Sequence, residues 1–179
     1  MAVVALVVLI VASPSLKSYL AGLMLGILGE LIRVWAIGWT GEHTRAQSLR
    51  APFLVTQGPY SLVRNPLYLG NILNYCGVLL AAIGSMSALG AALLTLSSGL
   101  IIYVVYSGCI AVEEQFLQEH FGEAFTAYKD SVPRLWPHWR DVISGGQYEF
   151  AWERVKFEVT TIFWWLVSWS VLLYKLLMI

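Results

Sequence analysis

The fold class this sequence predicts is an all-α integral membrane bundle of about five transmembrane segments, and three observations predict it. Hydrophobic residues make up 58% of the 179 residues and charged ones only 12%, about half the charged share of ordinary soluble domains. Mean hydropathy is +0.69. The apolar residues gather into runs approaching the roughly 20 that a bilayer-crossing helix needs, separated by short polar breaks. At this length the chain is expected to form a single domain over residues 1–179. The net charge is zero, which gives no basis for a nucleic-acid partner.

Met1 to Ala12 is apolar but short for a full span; lacking a basic leading region, it reads as a first helix rather than a cleaved signal. Ser13-Pro14-Ser15 makes a tight turn, because Pro14 ends one helix and suits the start of the next. Leu16 to about Trp39 is long enough to cross, and Gly22 and Gly26 give it a small-residue stripe for close approach by another helix. Thr40 to Val63 is polar and loop-like. Leu67 to Ile83 is the next span, with Gly70, Gly77 and Gly84 at seven-residue intervals suited to tight packing. Gly84-Ser85-Met86-Ser87 is an uncharged turn, followed by a span from Ala88 to about Ala111. From Glu113 the pattern becomes amphipathic: Leu117, Phe121, Ala124 and Tyr128 recur at helical spacing among Glu119, Glu123 and Lys129, which predicts a surface helix kinked at Gly122. Two prolines make Val132 to Pro137 irregular, and Gly145-Gly146 marks a further break. A last apolar helix is expected from about Phe157 to Leu177, with Lys175 near its outer end.

Basic residues orient these segments. Arg45, Arg50 and Arg64 lie in one connection; Lys129, Arg134, Arg140, Arg154 and Lys156 lie in another. Both are therefore placed in the cytoplasm, with the N-terminus inside and the C-terminus outside. Cys76 and Cys109 sit in apolar segments and read as small packing residues. His43, His120 and His138 are dispersed without metal-ligand spacing, and no nucleophile motif or dinucleotide fingerprint occurs.

Chemistry concentrates in two places. The connection Leu54 to Gly70 carries a Gly58-Pro59-Tyr60 turn that can launch a short helix, and Pro66 suits the first turn of the following span. That helix start can hold an anion, and Arg64 adds a planar cationic fork matched to carboxylate or phosphate. Alternatively, Arg64 anchors to lipid headgroups and Tyr60 and Tyr68 belong to an interfacial aromatic belt. The second place is Glu113-Glu114, at the far end of the next long span. Adjacent acids diverge on a helix, so one points into the bundle while its neighbour points elsewhere. A cationic ligand would account for the inward acid; a solvated helix end paired with Arg134 or Arg140 is the competing reading. If the intervening spans form a hairpin, both clusters reach one membrane surface. Glu30 and Arg33, three apart on one helix face, either pair with each other or touch substrate.

The run Leu54-Val55-Thr56-x-Gly58-x-Tyr60 followed by Arg64-x-Pro66-x-Tyr68-x-Gly70 resembles the core signature of the isoprenylcysteine carboxyl methyltransferases and their phospholipid methyltransferase relatives. Glu113-Glu114, Phe121-Gly122, Tyr128 and Val132-Pro133-Arg134 resemble that family's second signature, in the same order and spacing. The likeness covers about Leu54 to Pro137. It implies an integral membrane enzyme that uses S-adenosylmethionine in a cytoplasm-facing pocket and receives a lipophilic small-molecule or lipid substrate from the surrounding membrane lipids. By the resemblance, Gln57, Gly58, Tyr60, Arg64, Asn65, Pro66, Tyr68 and Gly70 would line the cofactor pocket from one side, with Glu113 and Glu114 on the other. Arg64, Glu113, Glu114 and Arg134 would serve the reaction. Two departures stand out. Asn65 occupies the place where the family commonly has histidine, and asparagine carries neither proton nor charge. The apolar helix after Pro137 lies beyond the point where the chain would be expected to end. Two other readings carry less support: an NADPH-dependent membrane reductase of the sterol reductase type, for which the loop offers few phosphate-binding cations, and a non-catalytic membrane scaffold or transporter.

Overall fold

A computed structural model describes residues 2–40, 53–137 and 150–178. The described residues are helical without strands: α1 (Ala2–Val11), α2 (Leu16–Thr40), a 3-10 turn at Gly58–Ser61, α3 (Pro66–Ala82), α4 (Ala88–Phe121), α5 (Glu123–Ser131), a 3-10 segment at Trp152–Glu158 and α6 (Val159–Met178). Among them, α2, α4 and the run Trp152–Met178 are long and apolar enough to cross a membrane, and α3 is a shorter apolar helix. The all-α membrane bundle is therefore borne out. With ten residues, α1 is about 15 Å long, half the hydrocarbon thickness.

Two boundaries differ from expectation. The surface helix expected from Glu113 is the continuation of α4, which runs unbroken for 34 residues, or about 51 Å. Val112 to Phe121 contains no glycine or proline, and its Glu, Gln and Leu residues favour helix. The break falls at Gly122, whose φ of 53° no helix residue adopts. Since α4 exceeds the hydrocarbon thickness by about 20 Å, Glu113 and Glu114 lie past its apolar stretch. At the C-terminus, Phe157 belongs to the 3-10 segment rather than to α6. Arg45, Arg50, His43, His138, Arg140 and Gly145-Gly146 lie outside the described residues.

The chain divides into two compact units. The first comprises Met1–Glu30, Gly70–Val105 and Thr160–Ile179. Its helices meet through missing side chains: a Cβ on Gly22 would strike the Gly77 carbonyl, and one on Gly29 would lie 2.7 Å from the Gly70 carbonyl. Tyr19, Ala81, Ala82, Trp169 and Leu172 form its core with Val8 and Ala12. The two short turns are tied together, Ser13 N–H donating to the Ala82 carbonyl at 2.7 Å and Ser85 N–H to the Ser13 carbonyl at 2.7 Å. Lys175 caps the end of α1, its Nζ donating to the carbonyls of Ile10 and Ala12 at 2.5 and 3.1 Å. Glu30 pairs here with Asn74 across to α3, where Asn74 Nδ2 donates to Glu30 Oε2 at 2.9 Å and Asn74 Oδ1 accepts from Trp165 Nε1 at 2.9 Å. Glu30 and Arg33 each have a partner distant in sequence, Asn74 for Glu30 and Glu158 for Arg33. Cys76 is half-buried, whereas Cys109 is exposed on α4 and so does not pack as expected.

The second unit comprises Leu31–Leu69 and Tyr106–Val159. Ala36, Trp39 and Tyr60 form one core cluster, with Val55, Leu67 and Phe150 packed against it. Phe125, Tyr128 and Val132 form another, flanked by Leu54, Leu117 and Phe121.

Candidate active site

Three local features bring the site together within the second unit. Gly58 opens the 3-10 turn with φ +59°, and its Cα lies so close under the Trp39 indole that a Cβ would collide with the ring. Glycine is required there by conformation and by space. Ser61 Oγ closes the turn on the Gly58 carbonyl at 2.7 Å. Pro66, wholly buried, then starts α3. The turn is held from α5, where Tyr128 Oη donates to the Tyr60 carbonyl at 2.7 Å. Burial pushes the hydroxyls of Tyr60 and Tyr128 well above the ordinary tyrosine range, so both stay neutral.

Glu114 is the electrostatic centre. Its Oε1 accepts from Arg64 Nε at 3.1 Å and from Asn65 Nδ2 at 3.2 Å, while Arg64 Nη2 stands 3.0 Å away. Its Oε2 accepts from Arg134 Nε and Nη2 at 3.1 and 2.8 Å. Arg64 spends its remaining arm on backbone, Nη1 donating to the carbonyls of Lys129 at 2.9 Å and Val132 at 2.5 Å, which end α5. Its own N–H donates to the Pro133 carbonyl at 2.8 Å. Asn65 also donates to the Arg134 carbonyl at 3.3 Å. An amide suffices for this work: Asn65 bridges a carboxylate and a carbonyl without needing a charge. The anion that the Arg64 and Asn65 side chains meet is the chain's own Glu114.

Glu113 faces differently. It bonds the Tyr68 hydroxyl, and the Tyr68 ring meets Tyr106 edge-on at 5.4 Å. Among the described residues no ion pair joins Glu113 to a cation. The two acids therefore diverge as the helical geometry predicts, one into a guanidinium clamp and the other toward tyrosines.

Of the residues singled out in the sequence, Asn65, Arg64, Glu114 and Arg134 form one cluster, and Tyr68 and Glu113 an adjoining contact. Gly58, Tyr60 and Pro66 build the turn beneath them. Gln57 caps that turn through its carbonyl, which accepts the Tyr60 N–H at 3.1 Å; its side-chain Oε1 is buried without a partner. Gly70 belongs to the first unit, where it seats α2. Sequence reasoning missed Trp39 and Glu158. Trp39 covers the Gly58 turn, its Nε1 buried without a hydrogen-bond partner among the described residues. Glu158 is wholly buried and takes Arg33 Nη2 at 3.0 Å on each oxygen. A lone acid in an apolar C-terminal stretch was the only available signal for Glu158.

S-adenosylmethionine presents an ammonium and a sulfonium beside a carboxylate. Glu113, an acid met by a hydroxyl rather than a cation, fits the positive part. Arg134, the more exposed guanidinium at 43% against 10% for Arg64, fits a carboxylate. No metal-holding group of His, Cys, Asp or Glu occurs among the described residues.

Known proteins are similar to this chain in sequence. A probable protein-S-isoprenylcysteine O-methyltransferase of Oryza sativa subsp. indica is 31% identical over 128 residues, covering 66% of this chain and 63% of that protein. The protein-S-isoprenylcysteine O-methyltransferase of Schizosaccharomyces pombe is 34% identical over 110 residues, 59% of this chain and 44% of its own. The cobalt-zinc-cadmium resistance protein CzcN of Cupriavidus metallidurans is 33% identical over 115 residues, 64% of this chain and 49% of its own. The chain thus spans less than two thirds of the length of each. No solved structure gives a significant match. The profile of the phospholipid methyltransferase family matches residues 17–124, well over half of the chain and inclusive of the Gly58 turn, Arg64, Asn65, Tyr68 and both acids. The chain belongs to the phospholipid methyltransferase family.

Proposed function

We propose that this protein is an integral membrane methyltransferase that takes its methyl group from S-adenosylmethionine and passes it to a lipophilic acceptor arriving from the bilayer. The observation that carries the reading is the divergence of the paired acids. Glu114 is consumed by Arg64, Asn65 and Arg134, while Glu113, one residue away, meets the Tyr68 hydroxyl and, among the described residues, no cation. A charge in that position at the edge of a membrane helix calls for a cationic ligand.

When bound, the cofactor supplies an already activated methyl group, so the chain's task is orientation and exclusion of water. Glu113 would hold the positive part of the cofactor and Arg134 its carboxylate. Arg64, tied to Glu114 and to the end of α5, would fix the wall on which Arg134 stands. A carboxylate acceptor needs no base. An amine acceptor must lose a proton, which Glu113 would take. Both basic connections face the cytoplasm in this reading, which gives the site access to a water-soluble cofactor.

The test is ligand-dependent stabilisation of the detergent-solubilised protein. S-adenosylhomocysteine should raise the melting temperature, with about 2.7 kcal/mol of stabilisation at a hundredfold excess over its Kd, and NADPH should not. Stabilisation by NADPH alone would favour the membrane reductase. No binding of S-adenosylhomocysteine at millimolar concentration would remove the methyltransferase reading.

A further inference from the structure

Tyr106 belongs to neither of the two sequence signatures, yet it stands beside the candidate site in the second unit. It lies on α4 seven residues before Glu113, so the two share one helix face about 10 Å apart along the axis. Tyr68, in the first turn of α3, spans that gap. Its ring meets the Tyr106 ring at 5.4 Å with the planes 72° apart, and its hydroxyl bonds Glu113. A carboxylate, a hydroxyl and a corner of two steeply inclined rings thus follow one another in a row. The side chains of Tyr68, Tyr106 and Glu113 are half-buried, whereas Tyr60, Tyr128 and Trp39 of the same unit are closed into its core. Tyr103, one turn earlier on α4, is 71% exposed, as befits an interfacial tyrosine; Tyr106 is turned onto α3 instead.

A row in this order suits the two positive centres of S-adenosylmethionine separately. An ammonium carries N–H donors on every side and is strongly hydrated, so it needs oxygen acceptors. Glu113 and the Tyr68 hydroxyl supply them. A sulfonium has no N–H to donate, and its charge is spread over the carbons bound to sulfur. Such a centre is held by the negative faces of aromatic rings, as quaternary ammonium groups are. A short carbon chain joins the two centres, so their subsites must adjoin, and the Tyr68 side chain belongs to both.

We propose that Tyr106, with Tyr68, forms the aromatic corner that receives the sulfonium of the methyl donor, leaving Glu113 to its ammonium. The inference rests on the methyltransferase reading and deepens it, because it gives the site a means of sensing charge. As the acceptor's lone pair forms the new bond to the methyl carbon, the electron pair of the broken carbon–sulfur bond stays on sulfur. The centre becomes a neutral thioether, and the ring faces lose their hold on it. The donor is therefore held more tightly than the spent product.

The test is calorimetry of S-adenosylmethionine and S-adenosylhomocysteine on the full chain in detergent, read as the ratio of the two affinities beside the melting temperature. The parent should prefer S-adenosylmethionine by about fivefold or more. Tyr106→Phe keeps the ring and should keep that preference within about twofold. Tyr106→Leu should bring the ratio close to unity while affinity for S-adenosylhomocysteine stays near that of the parent. A tyrosine that served only in packing would not give that split. Glu113→Gln, in contrast, should weaken both ligands. Should Tyr106→Leu fail to fold, a ring-fluorinated phenylalanine at position 106 takes its place: it keeps the shape, cancels the negative ring face and should abolish the preference. An unchanged ratio in Tyr106→Leu or in the fluorinated variant, a ratio already lost in Tyr106→Phe, or a parent that binds both ligands equally overturns the proposal. If the parent binds neither ligand, the methyltransferase reading fails first and the proposal falls with it.

Discussion

Replacing each of the paired acids by glutamine should separate binding from stability, because the two carboxylates do different work. Glu114→Gln keeps the side chain's shape but puts an NH2 group against one of two guanidiniums and removes the negative charge that bridges them. Breaking a buried ion pair by removing one partner costs roughly 3–5 kcal/mol. The low end applies, about 3 kcal/mol, because Arg134 is 43% exposed and its share is screened by solvent. For a chain of this size that corresponds to a fall of about 6–12 °C in Tm. Glu113→Gln removes no ion pair and keeps a polar partner for Tyr68, so Tm should stay near that of the parent. It does remove the charge proposed to meet the cofactor's cationic part. A hydrogen bond to a charged group is worth about 2 kcal/mol, so affinity for S-adenosylhomocysteine should drop roughly 30-fold. Thermal unfolding and calorimetry on the two purified variants decide the matter. Parent-like affinity in Glu113→Gln, or an unchanged Tm in Glu114→Gln, would refute the division of labour.

The other predictions follow from single contacts. Gly58→Ala should destabilise the protein by at least about 2 kcal/mol, since the left-handed conformation alone costs an alanine about 1–2 kcal/mol and the Trp39 ring leaves no space for its methyl group; an unfolding temperature equal to the parent's would contradict this. Asn74→Leu strips Glu30 of its amide donor and Trp165 of its acceptor, so it should cost about 1–2 kcal/mol, and chemical denaturation in mixed micelles should show it; a neutral variant would mean the network contributes nothing. Cysteines introduced singly at Gln57 and Lys129 in a chain lacking Cys76 and Cys109 should label from the cytoplasmic face in oriented vesicles. Labelling of the two from opposite faces would break up the proposed site.

Composition and local pattern alone determined the class of this protein and most of its helices. An apolar run of sufficient length has no stable alternative in lipid to satisfying its backbone internally, so α2, α4 and α6 could be read from hydropathy. Proline and glycine act on their own neighbours, so the turn at Pro14, the Gly58 turn, the start of α3 at Pro66 and the break at Gly122 were equally legible. The signature from Leu54 to Arg134 identified the family, and helical spacing showed that Glu113 and Glu114 diverge. Tertiary structure alone decided which residue each charge meets. Spacing suggests a partner for Glu30 and Arg33 only within their own helix, but the fold also brings Asn74 to Glu30 and Glu158, 125 positions away, to Arg33. Likewise only the fold showed that Arg64 is spent on Glu114 and the end of α5, and that Trp39 roofs Gly58. The physical reason is that helix-forming preferences act over a few neighbouring residues, whereas a buried charge binds whichever opposite group the packing of distant helices brings within about 3 Å.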